Sequence, residues 1–253
     1  MTELHHEITG PPDAPVLLMG GSLGTTLGMW DGQLPLAERL RLVRFDHRGH
    51  GGSPVPPGPY EIEDLGRDVL ELMDRLGVER AHYCGLSIGG MVGMWLGAGA
   101  PERIDRLILI CTAAHMPPAS TWRERIETVL AAGSVEPLAD ATLGRWLTPE
   151  FAAAHPELRD RIRAMLVATS PEGYAACCGA IERMDLRAAL PAIRSPTLVI
   201  SGDRDPSTPV ANQVEIARAI PGARHEIVGP AAHLAAVERP EEVNRLIMEH
   251  LCD

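Results

Sequence analysis

AHYCGLSIGGMVGMWLGAGA, residues 81–100, sets one serine, Ser87, among glycines and apolar side chains, with no charge between Tyr83 and Gly90. Its first part, AHYCG, is a short apolar run of the kind a buried parallel strand shows, and GGMVGMWLGAGA reads as a helix with glycine on its first face. Gly85-Leu86-Ser87-Ile88-Gly89 is therefore a G-x-S-x-G pattern placed at a strand-to-helix turn. A serine at so sharp a turn is held in a strained backbone conformation. Neighbours without side chains let strand and helix come close enough for its hydroxyl to stand clear.

Outward from this turn the apolar pattern recurs in APVLLMG, RLVRFD, RLILIC, TLVISG and RHEIVG, and His5 and His6 fall in an edge-like first strand. Helical patterns lie between. In EIEDLGRDVLELMDRLG the apolar positions Ile62, Leu65, Val69, Leu72, Met73 and Leu76 recur at helical spacing, with acids and arginines on the other face. This alternation predicts an α/β fold, a mostly parallel sheet flanked by helices. Between Cys111 and Pro196 the rhythm breaks into helical segments without a strand: STWRERIETVLAAG, EPLADATLGRWL, PELRDRIRAMLVATS and PEGYAACCGAIERM. Both ends of that insertion return to one core. The expected division is a core of residues 1–114 and 186–253 with a helical cap, 115–185, over the carboxyl ends of the strands.

Composition bounds the chemistry. The chain has 253 residues, 45% hydrophobic and 23% charged, which fits one globular domain of the larger kind. A net charge of -11 opposes approach to nucleic acid or to an anionic membrane, so neither is expected as a partner. All 23 basic residues are arginine. Without lysine there is no phosphate-loop lysine, no Schiff base to pyridoxal phosphate, no Tyr-x-x-x-Lys pair and no Ser-x-x-Lys nucleophile. Five cysteines at neither metal-site nor disulfide spacing point to a reducing compartment. MTELHHEITG carries no signal-peptide pattern, and no window approaches a membrane span, so a cytoplasmic protein is expected.

A serine hydroxyl is a weak nucleophile at neutral pH and needs a base oriented by an acid. After a G-x-S-x-G turn these partners follow in the order acid, then histidine. TLVISGDRDPSTP offers Asp203 and Asp205 beyond a strand. Asp205 is preferred, because Gly202-x-x-Asp205-x-x-x-Pro209 puts it on the loop, and Asp203 is the reserve. RHEIVGPAAHLAAVERP offers His233 after the next strand. His47 and His50, around RGHGG, are spaced like a metal pair, but no further ligands accompany them. Donors for a developing oxyanion are expected at the Ile88 N–H, where the helix begins, and in GGSLGTT, at Ser22 in preference to Leu23. A dinucleotide reading of that glycine cluster, with Asp46 ending the next strand, fails because the glycines do not fall at G-x-G-x-x-G.

The serine turn, the residue order and the strand rhythm together resemble the α/β-hydrolase fold over nearly the whole chain. More narrowly, GGSLGTTLGMWDGQLP, FDHRGHGGSPVPPGPYEIEDLGRDVLELMDRLG, CGLSIGGMVGMWLGAGAPERI, LRAALPAI and AAHLAAVERP resemble the 3-oxoadipate enol-lactonases of aromatic catabolism. The resemblance implies hydrolysis of 3-oxoadipate enol-lactone to 3-oxoadipate in the β-ketoadipate pathway, with no cofactor. It assigns nucleophile, acid and base to Ser87, Asp205 and His233. The implied partner is a small anionic lactone or ester, whose carboxylate Arg145 of the insertion's GRWL would meet, with Trp146 and Trp122 as apolar walls. A homo-oligomer is compatible with the sequence. The chain departs from the family pattern at Gly20-Gly21, where Ser-Asn is frequent, at Gly28 and Gly99, where histidine is, and near Ala236, where asparagine is. An aryl esterase, a perhydrolase-like enzyme or a carbon-carbon bond hydrolase would use the same three residues. A non-catalytic ligand receptor on this fold would not need them.

Overall fold

A computed structural model describes residues 2–252. The strands are β1 (His6–Thr9), β2 (Val16–Gly20), β3 (Arg41–Phe45), β4 (Ala81–Leu86), β5 (Ile104–Ile110), β6 (Thr197–Gly202) and β7 (Arg224–Val228). They form one sheet in the order β1-β3-β2-β4-β5-β6-β7, antiparallel only between β1 and β3. Every residue of β4 and β6 is buried, so the sheet is covered on both faces there, which is why these strands read as mostly apolar runs.

Flanking helices follow from their sequences. In α1 (Ile62–Arg75) a capping box starts the helix, with the Glu61 N–H donating to Asp64 Oδ2 at 2.8 Å, and Ile62, Leu65, Val69 and Leu72 are buried along one stripe. Helix α2 (Ile88–Gly99) carries no charge and is almost wholly buried. Its glycine side lies so near the strands that a Cβ at Gly93 would stand 2.9 Å from the Tyr83 ring. The chain closes with α8 (Val210–Ala219), after five helices inserted between β5 and β6, and then with α9 (Ala235–Glu238) and α10 (Pro240–Cys252).

The insertion comprises α3 (Ala119–Ala132), α4 (Ala139–Trp146), α5 (Pro149–Ala154), α6 (Pro156–Val167) and α7 (Pro171–Arg183). Its two ends meet in an isolated antiparallel bridge between His115 and Asp185. Helix α5 is absent from the sequence expectations because six residues are too few to show a period. Its signal is local: Pro149 stands in the first turn, and the Thr148 hydroxyl accepts the Phe151 N–H at 3.3 Å. Among the described residues, no helix is long and apolar enough to cross a membrane.

Two carbonyls decide how close β4 and α2 come to the loop after β2. A Cβ at Gly89 would stand 2.1 Å from the Gly20 carbonyl oxygen, and one at Gly85 would stand 2.2 Å from that of Gly89. Backbone offers no rotamer to move aside. Gly89→Ala is expected to lose about 1–3 kcal/mol of stability through this overpacking, read as a lower urea midpoint at unchanged slope.

Candidate active site

Ser87 sits between β4 and α2 at φ 58° and ψ -117°, one of two non-glycine residues with positive φ among those described. Three backbone anchors hold it there. Its N–H donates to the Ile110 carbonyl at 3.0 Å, and its own carbonyl accepts the Met91 N–H at 3.0 Å and the Thr112 hydroxyl at 2.7 Å. The strain of the left-handed region is thus balanced by bonds that an extended serine would lose. The other such residue, Cys111 at φ 43°, immediately follows β5. Burial pushes its thiol pKa far up, so it packs rather than reacts.

Beyond β6, Asp205 is almost fully buried, and its carboxylate is saturated with donors. Oδ1 accepts the N–H groups of Ser207 (2.7 Å) and Thr208 (3.1 Å). Oδ2 accepts the Thr208 hydroxyl (2.6 Å) and His233 Nδ1–H (2.9 Å). Burial alone would raise its pKa; the charge of His233 and the bonds from its ring and from Thr208 outweigh burial and hold the carboxyl below its ordinary value. With Nδ1–H committed to Asp205, Nε2 is the ring nitrogen of His233 left for another partner. Asp203, the reserve acid, instead accepts the Ala231 N–H at 2.8 Å and braces the loop that carries His233.

Ser87 and His233 line one cavity of about 330 Å³, together with Ser22, Leu23, Trp122, Arg125, Arg145 and Trp146. Ile88 is buried behind Ser87 as the first residue of α2, where an N–H has no partner within the helix. In the loop after β2 the Ser22 N–H donates to Met29 Sδ at 3.3 Å, so the donor expected for an oxyanion is already engaged. Leu23 follows it on the cavity wall. The same loop is gripped from behind: His47 Nε2–H donates to the Gly21 carbonyl at 3.2 Å, and His50 Nε2 accepts the Gly24 N–H at 2.8 Å. Those two rings serve the backbone, and among the described residues no group of three or more His, Cys, Asp or Glu is placed to hold a metal. Asp46 likewise is occupied, accepting the N–H groups of Leu27 (2.6 Å) and Gly52 (2.9 Å).

On the side of the inserted helices, Arg145 and Arg125 face the cavity together. Arg125 donates to the Tyr174 hydroxyl at 2.9 Å and lies 5.5 Å from the Trp122 ring, while Arg145 donates to the Thr142 hydroxyl at 3.2 Å. Their described hydrogen bonds go to neutral hydroxyls rather than to carboxylates. Burial, and then the neighbouring Arg125 charge, lower the Arg145 pKa. Two like charges held side by side in a half-buried cavity make a local attraction for an anion. Sequence reasoning missed Arg125, because STWRERIETVL shows only a polar helix side. At the departures from the family pattern, the room a side chain would need at Gly20 is taken by the Tyr83 hydroxyl (2.5 Å from a Cβ) and at Gly21 by Met29 Sδ (2.9 Å). A Cβ at Gly28 would touch Met165 at 3.0 Å, and at Gly99 it would meet open space.

A strained serine elbow, followed in chain order by an acid and a histidine bound to each other at the rim of a mostly parallel sheet, defines the α/β-hydrolase class. The family model described as "alpha/beta hydrolase fold" matches residues 14–240, and the chain belongs to that family. Within it, the chain is 38% identical over 245 residues to 3-oxoadipate enol-lactonase 2 of Acinetobacter baylyi, covering 96% of this chain and 91% of that one. It is similar to the crystal structure of the enol-lactonase from Burkholderia xenovorans LB400, with 41% identity, a TM-score of 0.97, and coverage of 100% and 97%. A thermophilic esterase from Thermogutta terrifontis, solved with malate bound, follows at 31% identity and a TM-score of 0.92, covering 98% and 92%.

The burial of His47 has a consequence that can be measured. Desolvation, and then the nearby His50, lower its pKa to about 3, so its ring stays neutral well into acid. An unfolded chain binds a proton there below about pH 6.5, whereas the folded one does not. This group therefore favours folding fully above that value and progressively less as pH falls toward 3. Its ring resonances are expected to stay fixed in an NMR titration from about pH 8 to about pH 5, a range in which an ordinary histidine titrates.

Proposed function

We propose that the chain is a serine hydrolase that opens a small lactone bearing a carboxylate, with 3-oxoadipate enol-lactone of aromatic catabolism as its substrate. The observation that carries this reading is the shared cavity, lined by Ser87, by His233 with its bond to Asp205, and by Arg125 and Arg145. The names of the relatives support the choice of lactone.

Ser87 Oγ attacks the lactone carbonyl as His233 Nε2 takes its proton, and Asp205 fixes the ring tautomer and stabilises the imidazolium. The tetrahedral oxyanion is met by the Ile88 N–H and by a second donor that we assign to Leu23 rather than Ser22, whose N–H is bound to Met29. Collapse breaks the ring C–O bond and expels an enolate oxygen, which His233 protonates; the enol then tautomerises to a ketone. Water, deprotonated by the same histidine, attacks the acyl-enzyme and frees Ser87. Arg125 and Arg145 hold the carboxylate arm between the walls of Trp122 and Trp146. Residues 115–185 act as the cap that closes the cavity from above.

Ser87→Ala is expected to lower kcat by up to about a million-fold, the scale set by nucleophile removal in other serine hydrolases. A folded variant with near-normal turnover refutes the mechanism. Arg125→Met and Arg145→Met should each weaken turnover of the enol-lactone at least about tenfold more than that of p-nitrophenyl acetate, which has no carboxylate to lose. An equal loss on both substrates removes the carboxylate role. A wild type that prefers p-nitrophenyl acetate, or a meta-cleavage product, over the lactone replaces the substrate with an ester or a carbon-carbon bond.

A further inference from the structure

Glu238 is a buried carboxylate that the proposed reaction does not use. Its acceptors are filled by donors from two separate parts of the chain. Oε1 accepts the Ala232 N–H at 2.7 Å, immediately before His233. Oε2 accepts the Thr148 N–H at 3.1 Å and the Thr148 hydroxyl at 2.6 Å, two residues beyond Trp146. A second link lies beside the first: the Leu234 N–H, immediately after His233, donates to the Trp146 carbonyl at 2.9 Å. The peptide of His233 is thus suspended between two hydrogen bonds, and both lead to residues 146–148 of the insertion. The link through Glu238 is charge-assisted at both ends, which makes it the stronger of the two.

We infer that Glu238 is a positioning residue that locks the segment carrying Arg145 and Trp146 to the loop carrying His233, so that seating the substrate and aligning the base are one event. This rests on the function proposed above. The α4–α5 end of the cap is then no free lid. A ligand that draws Arg145 and Trp146 inward moves His233 with them, and a cap that drifts outward withdraws the base from Ser87.

The test compares wild type with Glu238→Gln, Glu238→Ala and Thr148→Val, each checked for folding by circular dichroism. It has two readouts: steady-state kinetics on the enol-lactone, and the rate at which a small neutral phosphonylating reagent labels Ser87. Labelling needs an aligned His233 but not the cap arginines. A wild type that neither turns over the lactone nor labels at Ser87 sinks the proposed function itself, before any question about Glu238 arises. With an active wild type, Glu238→Ala should label about tenfold or more slowly, the scale of a displaced catalytic group, because Ala232 has lost its acceptor. Thr148→Val should raise KM several-fold and leave labelling near wild type, because only the cap side is loosened. Glu238→Gln keeps a carbonyl oxygen for Ala232 and turns an amide toward Thr148, so it should follow Thr148→Val. A folded Glu238→Ala protein labelled at the wild-type rate, or a Glu238→Gln protein with unchanged KM, overturns the inference. Should Glu238→Ala not fold, the KM-against-kcat split of Glu238→Gln decides alone.

Discussion

Everything at this site depends on one close approach of backbone to backbone, where the first turn of α2 meets the loop after β2. The Gly89 N–H donates to the Gly21 carbonyl at 3.1 Å, and the Tyr83 hydroxyl donates to the Gly89 carbonyl at 3.0 Å. These bonds draw two donor-bearing segments, the start of α2 and the loop after β2, together beside the serine turn. The left-handed conformation of Ser87 costs on the order of 1–3 kcal/mol in isolation. The buried contacts of an uncharged helix packed against β4 and β5 offset it, and that is why the elbow lies at the centre of the sheet rather than at its edge.

Asp205 and His233, the acid and base of the proposed reaction, obey a different rule. Asp205 is taken out of water, which opposes its charge; the charge of His233, and then the hydrogen bonds from its ring and from Thr208, reverse the balance. The surroundings are consistent with this at each step: Thr208 supplies N–H and hydroxyl, Ser207 supplies an N–H, and Asp203 is turned away to hold the loop at Ala231. A carboxylate so fixed admits one tautomer of His233 and one ring orientation. The pair is built as a rigid unit before any substrate arrives, as electrostatic preorganisation requires.

How much of this could be read in the chain depended on the range of the interaction. Strands β4 and β6 were legible because burial on both faces leaves mostly apolar residues, His82, Thr197 and Ser201 being the buried exceptions, and the turn at Ser87 was legible because its strain demands glycines at fixed offsets. The pairing of Asp205 with His233 was legible because topology puts the ends of β6 and β7 next to each other. Arg125 was not, since a guanidinium facing a cavity and one facing solvent have the same sequence neighbours. Nor was the Ser22 N–H donating to Met29 Sδ, seven residues away, a contact that no local pattern announces. Glu238 was hidden for the same reason: its meaning lies in Thr148, 90 residues earlier.

Charge works locally against the character of the whole chain. A net charge of -11 repels anions at long range, but physiological salt screens such a field over about 8 Å. Half-buried Arg125 and Arg145 are screened less, so an anion that has entered the cavity is governed by them rather than by the surface. In the proposed reaction this asymmetry also acts on the product. Ring opening turns a monoanion into a dianion, and the new carboxylate is released at Ser87. In that reaction the second charge, created by the chemistry itself, adds to the repulsion between the product and an acidic chain and so favours release.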